Sequence, residues 1–406
     1  MAHEASESTL RTENLDKISQ TLHSIATEGE NFLKDTEGGS REKLTTLARD
    51  LLNATQTPFE SLLWTIWRPA QIVAARVAVD LKLFETVVKD NGSPKDAEQL
   101  AAAVGASSAL VKRIVRVCVS MNMLDEQGPG QYIPNDFTRL LAIPEYASGI
   151  VFSFDRTQPS FPQLPAYLRE TEFANPMDTS IFHHATKVPV FQWFNEHPDV
   201  FKAFHDYLDI LRIHRPSWLD MYPVDNLVKN LKPDGDSSVF IDLGGGVGKY
   251  LREFGKSAPH YEGKLILQDI PEVIDAARAT GVGDDDSRIE LQVHDFFTPQ
   301  PVRGARAYFL HAVLHDWSDN KCQMILGYLK DAMEPGYSKV LISDCVVANE
   351  NAAWQHASLD IFMMDISGQE RTEQEWYTLI ESCGLKIAKI YTKGKGNESV
   401  IEVIKE

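Results

Sequence analysis

The sequence predicts an α/β protein: a mostly parallel sheet covered on both faces by helices, behind an N-terminal helical part with a winged-helix pattern. Three observations carry this. From about residue 226 onward, apolar runs that suit strands alternate with helix-compatible segments. The first of those runs ends in an acidic residue and empties into a glycine-rich turn, Val239-Phe-Ile-Asp-Leu-Gly-Gly-Gly-Val-Gly-Lys-Tyr250. Upstream, residues 56–155 read as helix, turn, helix and then a short polar hairpin.

Four regions follow in order. Residues 1–55 form a polar, acidic N-terminal arm with apolar residues spaced as in amphipathic helices. Residues 56–155 carry a helix-like run from Trp67 to Phe84, a second from Asp96 to Gly105 and a third from Ser107 to Cys118. The hairpin Leu124-Asp-Glu-Gln-Gly-Pro-Gly-Gln-Tyr-Ile133 completes the winged-helix pattern. Residues 156–225 are a helical connector rich in aromatics and proline, including Phe161, Trp193, Phe194, Phe201, Phe204, Tyr207 and Trp218. Such residues build a core or an interface, and some can line a ligand cavity. Residues 226–406 hold the sheet, with strands expected near 238–243, 264–269, 288–294, 306–311, 338–345, 386–392 and 398–404. The last two, joined through Lys393-Gly-Lys-Gly-Asn397, read as a hairpin adding an antiparallel strand.

The glycine turn decides the ligand class. Glycine lets backbone approach a ligand because no Cβ blocks the way. A dinucleotide fingerprint starting at Gly244 needs glycine at 249, where the chain has Lys249; a P-loop needs glycine at 243 and Ser or Thr at 250, where it has Leu243 and Tyr250. The pattern left, Gly244, Gly246 and Gly248 behind Asp242, resembles the first motif of S-adenosylmethionine-dependent methyltransferases. Downstream, the run Lys264–Asp269 ends in a carboxylate about 20 residues past the turn, where nucleoside-binding folds hold ribose hydroxyls. The next run ends in Asp295-Phe296, an acceptor and an aromatic face suited to adenine. Strand-end acids suit a cofactor with positive charge and no phosphate.

Composition narrows the partners. The net charge of −18 argues against nucleic acid or an anionic membrane surface. Cys118, Cys322, Cys345 and Cys383 are dispersed, which suits reduced thiols in a cytoplasmic protein, and no apolar run reaches membrane-spanning length. Lys112, Arg113 and Arg116 on the second winged-helix helix would be the DNA-reading residues of a regulator, but they are few and the chain is acidic.

The block Ala305–Cys322, containing Leu314-His-Asp-Trp317, resembles the corresponding motif of plant caffeate-type and fungal secondary-metabolite O-methyltransferases. Ser343-Asp-Cys-Val346 and Asp360–Thr372 match that family's next two blocks in order and spacing. The resemblance implies a Rossmann-like methyltransferase sheet, a winged-helix dimerisation domain, a homodimer, a small-molecule acceptor and S-adenosyl-L-methionine as cofactor. It also implies roles. A phenol needs a base, and His315 fits, with an unperturbed pKa near 6.5. Asp344 and Glu370 would orient its ring. Met363 and Met364 lie on a helix that lines the acceptor pocket in the family, and Asp316, beside the base, is assigned to the same side. Asp242, Gly244, Gly246, Gly248, Asp269, Asp295, Phe296 and His311 form the expected cofactor set.

His311 departs from the pattern, since fungal relatives carry Arg or Lys there. The fold also hosts natural-product pericyclases that bind S-adenosylmethionine without transferring its methyl group, so a pericyclase is the second enzymatic reading. A non-enzymatic winged-helix regulator is the third. No His/Asp cluster shows metal-ligand spacing, and no metal is expected.

Overall fold

The computed structural model describes residues 12–36, 39–177, 179–229, 231, 240–261, 263–284 and 286–406. The first eleven residues of the arm and residues 238–239 of the first expected sheet strand lie outside these. The chain divides into two compact units, Met1–Ile143 and Pro144–Glu406.

In the first unit, helices Thr12–Lys34 and Ser40–Thr55 pack against each other. Helix Pro58–Asp80 starts at a reciprocal cap between Thr57 and Glu60, with proline in its first turn, where a missing N–H costs nothing. The winged-helix pattern is present. Asp96 caps helix Ala97–Val104, Gly105 ends it in the left-handed conformation, and helix Ser108–Ser120 follows. The antiparallel wing is β1 (Asp125–Glu126) with β2 (Tyr132–Ile133). Val111, Val115 and Cys118 are buried at helical spacing, which leaves Lys112, Arg113 and Arg116 exposed.

The second unit is built on a seven-stranded sheet: β3 (Phe240–Leu243), β4 (Leu265–Asp269), β5 (Ile289–Val293), β6 (Ala307–His311), β7 (Lys339–Asp344), β8 (Lys386–Thr392) and β9 (Ser399–Ile404). Its order is β5-β4-β3-β6-β7-β9-β8, with β3 to β7 parallel and β9 antiparallel between β7 and β8. Successive side chains of a strand face opposite sides, and the core splits accordingly. Tyr308, Leu310 and Ile342 join Trp376 in one cluster, while Phe309, Phe240 and Leu341 join Trp218 in the other. Two buried faces explain why the central strands β3, β6 and β7 are near-continuous apolar runs rather than alternating ones.

Helix Pro144–Thr157, assigned from sequence largely to the winged-helix region ending at 155, belongs to the second unit. The reason is packing: Phe152 lies 5.0 Å from Phe204 and 5.4 Å from Tyr207, ring to ring, on helix Pro198–His214. Among the described residues no helix is long and apolar enough to cross a membrane.

Candidate active site

The parallel strands β3, β4, β6 and β7 all end at one sheet edge, and the functional candidates collect there. Gly244, Gly246 and Gly248 take φ values of +70°, +60° and +69°, so the turn requires residues free of a Cβ penalty. Gly244 donates its amide to the Gln268 carbonyl at 2.8 Å. A Cβ on Gly245 would come within 2.4 Å of the Asp242 carboxyl carbon, whereas one on Gly246 would meet nothing within 4 Å. Gly246 therefore faces open space.

Asp242 lies beneath this turn, not on it. It is fully buried, and neither carboxylate oxygen has a hydrogen-bond partner among the described residues. Burial pushes it up to about 7, with nearby His311 pulling the other way. Asp269, expected to hold ribose, also braces the turn. One oxygen accepts the Gly246 amide at 2.9 Å and the other accepts the Ile270 amide at 2.8 Å. Burial moves Asp269 upward against those two amides. Asp295 is exposed and accepts the Phe297 amide at 2.9 Å. Phe296 sits edge-on to Phe297 and Trp317 and would be 3.5 Å from a Cβ on Gly244.

Past β6 the chain makes a tight turn through Ala312, at φ +51°, into the short 3-10 turn Leu314–Asp316 that presents His315. Its Nδ1 lies 2.9 Å from Glu370 Oε1 and 3.5 Å from Asp344 Oδ1; its Nε2 is 3.7 Å from Asp316 Oδ1. Asp344 and Glu370 are buried, Asp316 is 39% exposed, and one oxygen each of Asp344 and Glu370 lacks a partner among the described residues. Burial alone would lower His315; the negative charges of Asp344, Glu370 and Asp316 outweigh it and raise the ring to about 10. The sequence reading started from an unperturbed ring near 6.5; the three carboxyl groups beside it shift it upward. Asp344 is itself pushed up to about 7 by burial, against the pull of His315.

Sequence spacing shows no metal-ligand cluster, yet folding brings one ligand-capable atom each of His315, Asp344 and Glu370 within 4.8 Å. Within this group the His315 Nδ1 lies at hydrogen-bond distance from Glu370, a geometry in which the ring and the carboxyl groups can share a proton. Met363 is buried and Met364 half-buried on helix Trp354–Met364, and a Cβ on Gly368 would meet Met363 Cε at 3.0 Å and the His315 carbonyl at 2.6 Å.

Two features went unseen in the sequence. His311 pairs with Glu398 at 2.9 Å, Glu398 also binds Arg215 at 2.6 Å, and Tyr250 lies on the His311 ring at 4.1 Å. Burial would raise Glu398, but His311 and Arg215 hold it at about 2. Arg371, next to Glu370, turns away from it. Its guanidinium is buried, donates to the Leu314 and Trp317 carbonyls at 2.9 and 2.8 Å and pairs with Asp319. It clamps the turn that carries His315.

A family profile described as O-methyltransferase domain matches residues 170–386, and one described as O-methyltransferase dimerisation domain matches residues 71–143. The methyltransferase cfoC of Aspergillus candidus is 34% identical over 404 residues, 95% of this chain and 98% of that protein. The structure of LepI in complex with SAM superposes with a TM-score of 0.81 at 28% identity, covering 95% of this chain and 99% of the other. A structure titled a pericyclic reaction enzyme matches with a TM-score of 0.80 at 28% identity over the same shares.

Proposed function

From the chain's membership of the O-methyltransferase family, an enzyme family whose cofactor is S-adenosylmethionine, we propose that it methylates a phenolic or enolic hydroxyl of a small secondary metabolite, with His315 as general base. The observation that carries this is the grip of Glu370 and Asp344 on Nδ1, which leaves Nε2 as the nitrogen available to an acceptor. The turn fits the cofactor. Gly246 offers open space, Asp269 retains unused lone pairs, and Asp242 places an unpartnered carboxyl below a site for a cationic ligand. When bound, the cofactor supplies a methyl group on a positively charged sulfur.

This chain's residues prepare the oxygen. A ring raised to about 10 matches a phenol, whose pKa is also about 10. For the fraction of rings that is neutral, moving the proton from hydroxyl to Nε2 is then nearly free of cost, and the negative charges of Asp344 and Glu370 stabilise the imidazolium beside the phenolate. Met363 and Met364 supply a pliable apolar wall for the acceptor.

A second reading has its own support. A ring kept protonated by its carboxylates carries an N–H that can polarise a substrate carbonyl, as a pericyclase would use, and 28% identity to a pericyclic reaction enzyme supports it. The deciding experiment follows methyl-labelled S-adenosylmethionine with a panel of phenols and polyketide–pyridones. Methyl transfer yields labelled product and S-adenosylhomocysteine in equal amounts, and His315→Ala lowers turnover about 10²–10⁴-fold with cofactor affinity retained. Product of unchanged mass with intact cofactor would replace this reading by the second.

A further inference from the structure

Asp365 stands at the end of helix Trp354–Met364 and is 1% exposed. Three successive parts of the helical connector converge on it. Arg156, 4% exposed, places Nη1 3.0 Å from Asp365 Oδ2, and the buried Ser160 hydroxyl donates to the same oxygen at 3.0 Å. The Phe182 amide and the Ser180 hydroxyl both donate to the Asp365 carbonyl at 3.0 Å. The Arg156 guanidinium also lies over the rings of Phe182 and Phe362, at 5.7 and 6.0 Å.

A buried ion pair adds little net stability against the same volume of apolar atoms, so its clearest use is to fix a geometry. What this pair fixes is the start of a tight loop. Between Asp365 and Glu370 lie only four residues, and they have little slack. Ser367 is held at φ +68°, unusual for a residue with a side chain, and its buried hydroxyl has no partner among the described residues. Gly368 is pressed against the His315 carbonyl, Gln369 donates to that carbonyl at 2.8 Å, and Asp360 accepts the Glu370 amide at 2.8 Å. The loop ends where Glu370 bonds His315 Nδ1.

We propose that Arg156 is a positioning residue: by docking the connector onto Asp365 it sets the 365–370 loop and hence the hydrogen bond between Glu370 and His315. Seating of the connector on the helix that bears Met363 and Met364 is thereby linked to alignment of the reactive ring. The consequence for turnover rests on the role given to His315 above; the alignment itself does not.

The test reads the ring directly. Histidine labelled with nitrogen-15 reports the titration of His315, assigned by the resonance lost in His315→Gln, in the protein without acceptor. The groups facing the ring are Asp316 on its own turn, Asp344 on β7 and Glu370 on the loop. Arg156→Met loosens Glu370, so the midpoint is expected to fall by about one unit or more, the size of one lost charge partner. Arg156→Lys restores part of the shift, and Ser160→Ala, which leaves the ion pair in place, gives a smaller shift of the same sign. S-adenosylmethionine affinity by calorimetry stays within about twofold, because the glycine turn is untouched. A merely structural role would lower the melting temperature and leave the midpoint in place. A wild-type midpoint in folded Arg156→Met, or in Ser160→Ala should the first variant not fold, overturns the proposal. Because the titration needs no methyl transfer, this result is distinguishable from failure of the methyltransferase reading.

Discussion

His315 owes its raised proton affinity to three carboxyl groups, and the sign of the pH effect follows from that. A group raised in the folded state adds stability that is full below its unfolded pKa, about 6.5, and is lost as pH rises through about 10. In the folded protein the free base, which accepts the acceptor's proton, appears only as pH approaches the upper end of that window, about 10. The acid limb of the pH–rate profile is therefore expected well above the range of ordinary histidine. Glu370→Gln removes one negative charge, so the limb should move to lower pH even as turnover falls through poorer ring orientation. Rates measured across pH 5 to 10 under saturating cofactor decide this. A wild-type limb at about 6.5, unmoved in Glu370→Gln, contradicts the proton-holding arrangement.

The β3 turn shows how a single element divides fold from ligand. A methyl group at position 245 enters occupied space, 2.4 Å from the Asp242 carboxyl and 2.6 Å from Leu267, and overpacking of that kind costs about 1–3 kcal/mol. At 246 the same methyl meets nothing, and the left-handed backbone alone costs about 1–2 kcal/mol. Gly245→Ala should thus cause the larger fall in melting temperature, and Gly246→Ala the larger loss of S-adenosylmethionine affinity by calorimetry. Wild-type affinity in Gly246→Ala would mean that the cofactor approaches elsewhere. The central strands β3, β4, β6 and β7 were legible because each is an apolar run buried on both sides; Leu243 of β3 precedes the glycines, and three polar residues, Asp269, His311 and Asp344, close β4, β6 and β7. The partners of those ends were less legible. Glu398 reaches His311 only because β9 returns antiparallel along β7, pairing Ser399 with Asp344. Arg371 adjoins Glu370 in sequence, yet the two side chains have different partners: Glu370 bonds the His315 ring, and Arg371 donates to the Leu314 carbonyl. Side-chain direction in a loop is set by tertiary packing, which one sequence does not carry.

At the scale of the whole chain, the first unit leaves an apolar surface that calls for a partner. On helix Pro58–Asp80, Phe59, Leu62, Ile66 and Val73 are exposed along one stripe, and Trp67, at the next position round, is 61% exposed. Single exposed apolar residues are ordinary, but a contiguous set with two aromatics marks an interaction site. The same helix runs into the segment that matches the O-methyltransferase dimerisation domain from residue 71. A second copy is therefore the expected occupant, and a contact made through these apolar side chains should resist salt. Sedimentation should show a dimer at both low and high ionic strength, and Trp67→Glu should shift the equilibrium toward monomer by burying an unpaired charge in the interface. Duplex DNA gives the contrasting outcome. Lys112, Arg113 and Arg116 are exposed and properly placed on the second winged-helix helix, but three cations on a chain of net charge −18 give a weak electrostatic footprint. A salt-insensitive dimer that ignores DNA supports the dimerisation role. A monomer at all salt concentrations, or tight DNA binding that weakens steeply with salt, would assign the exposed winged helix to a different partner.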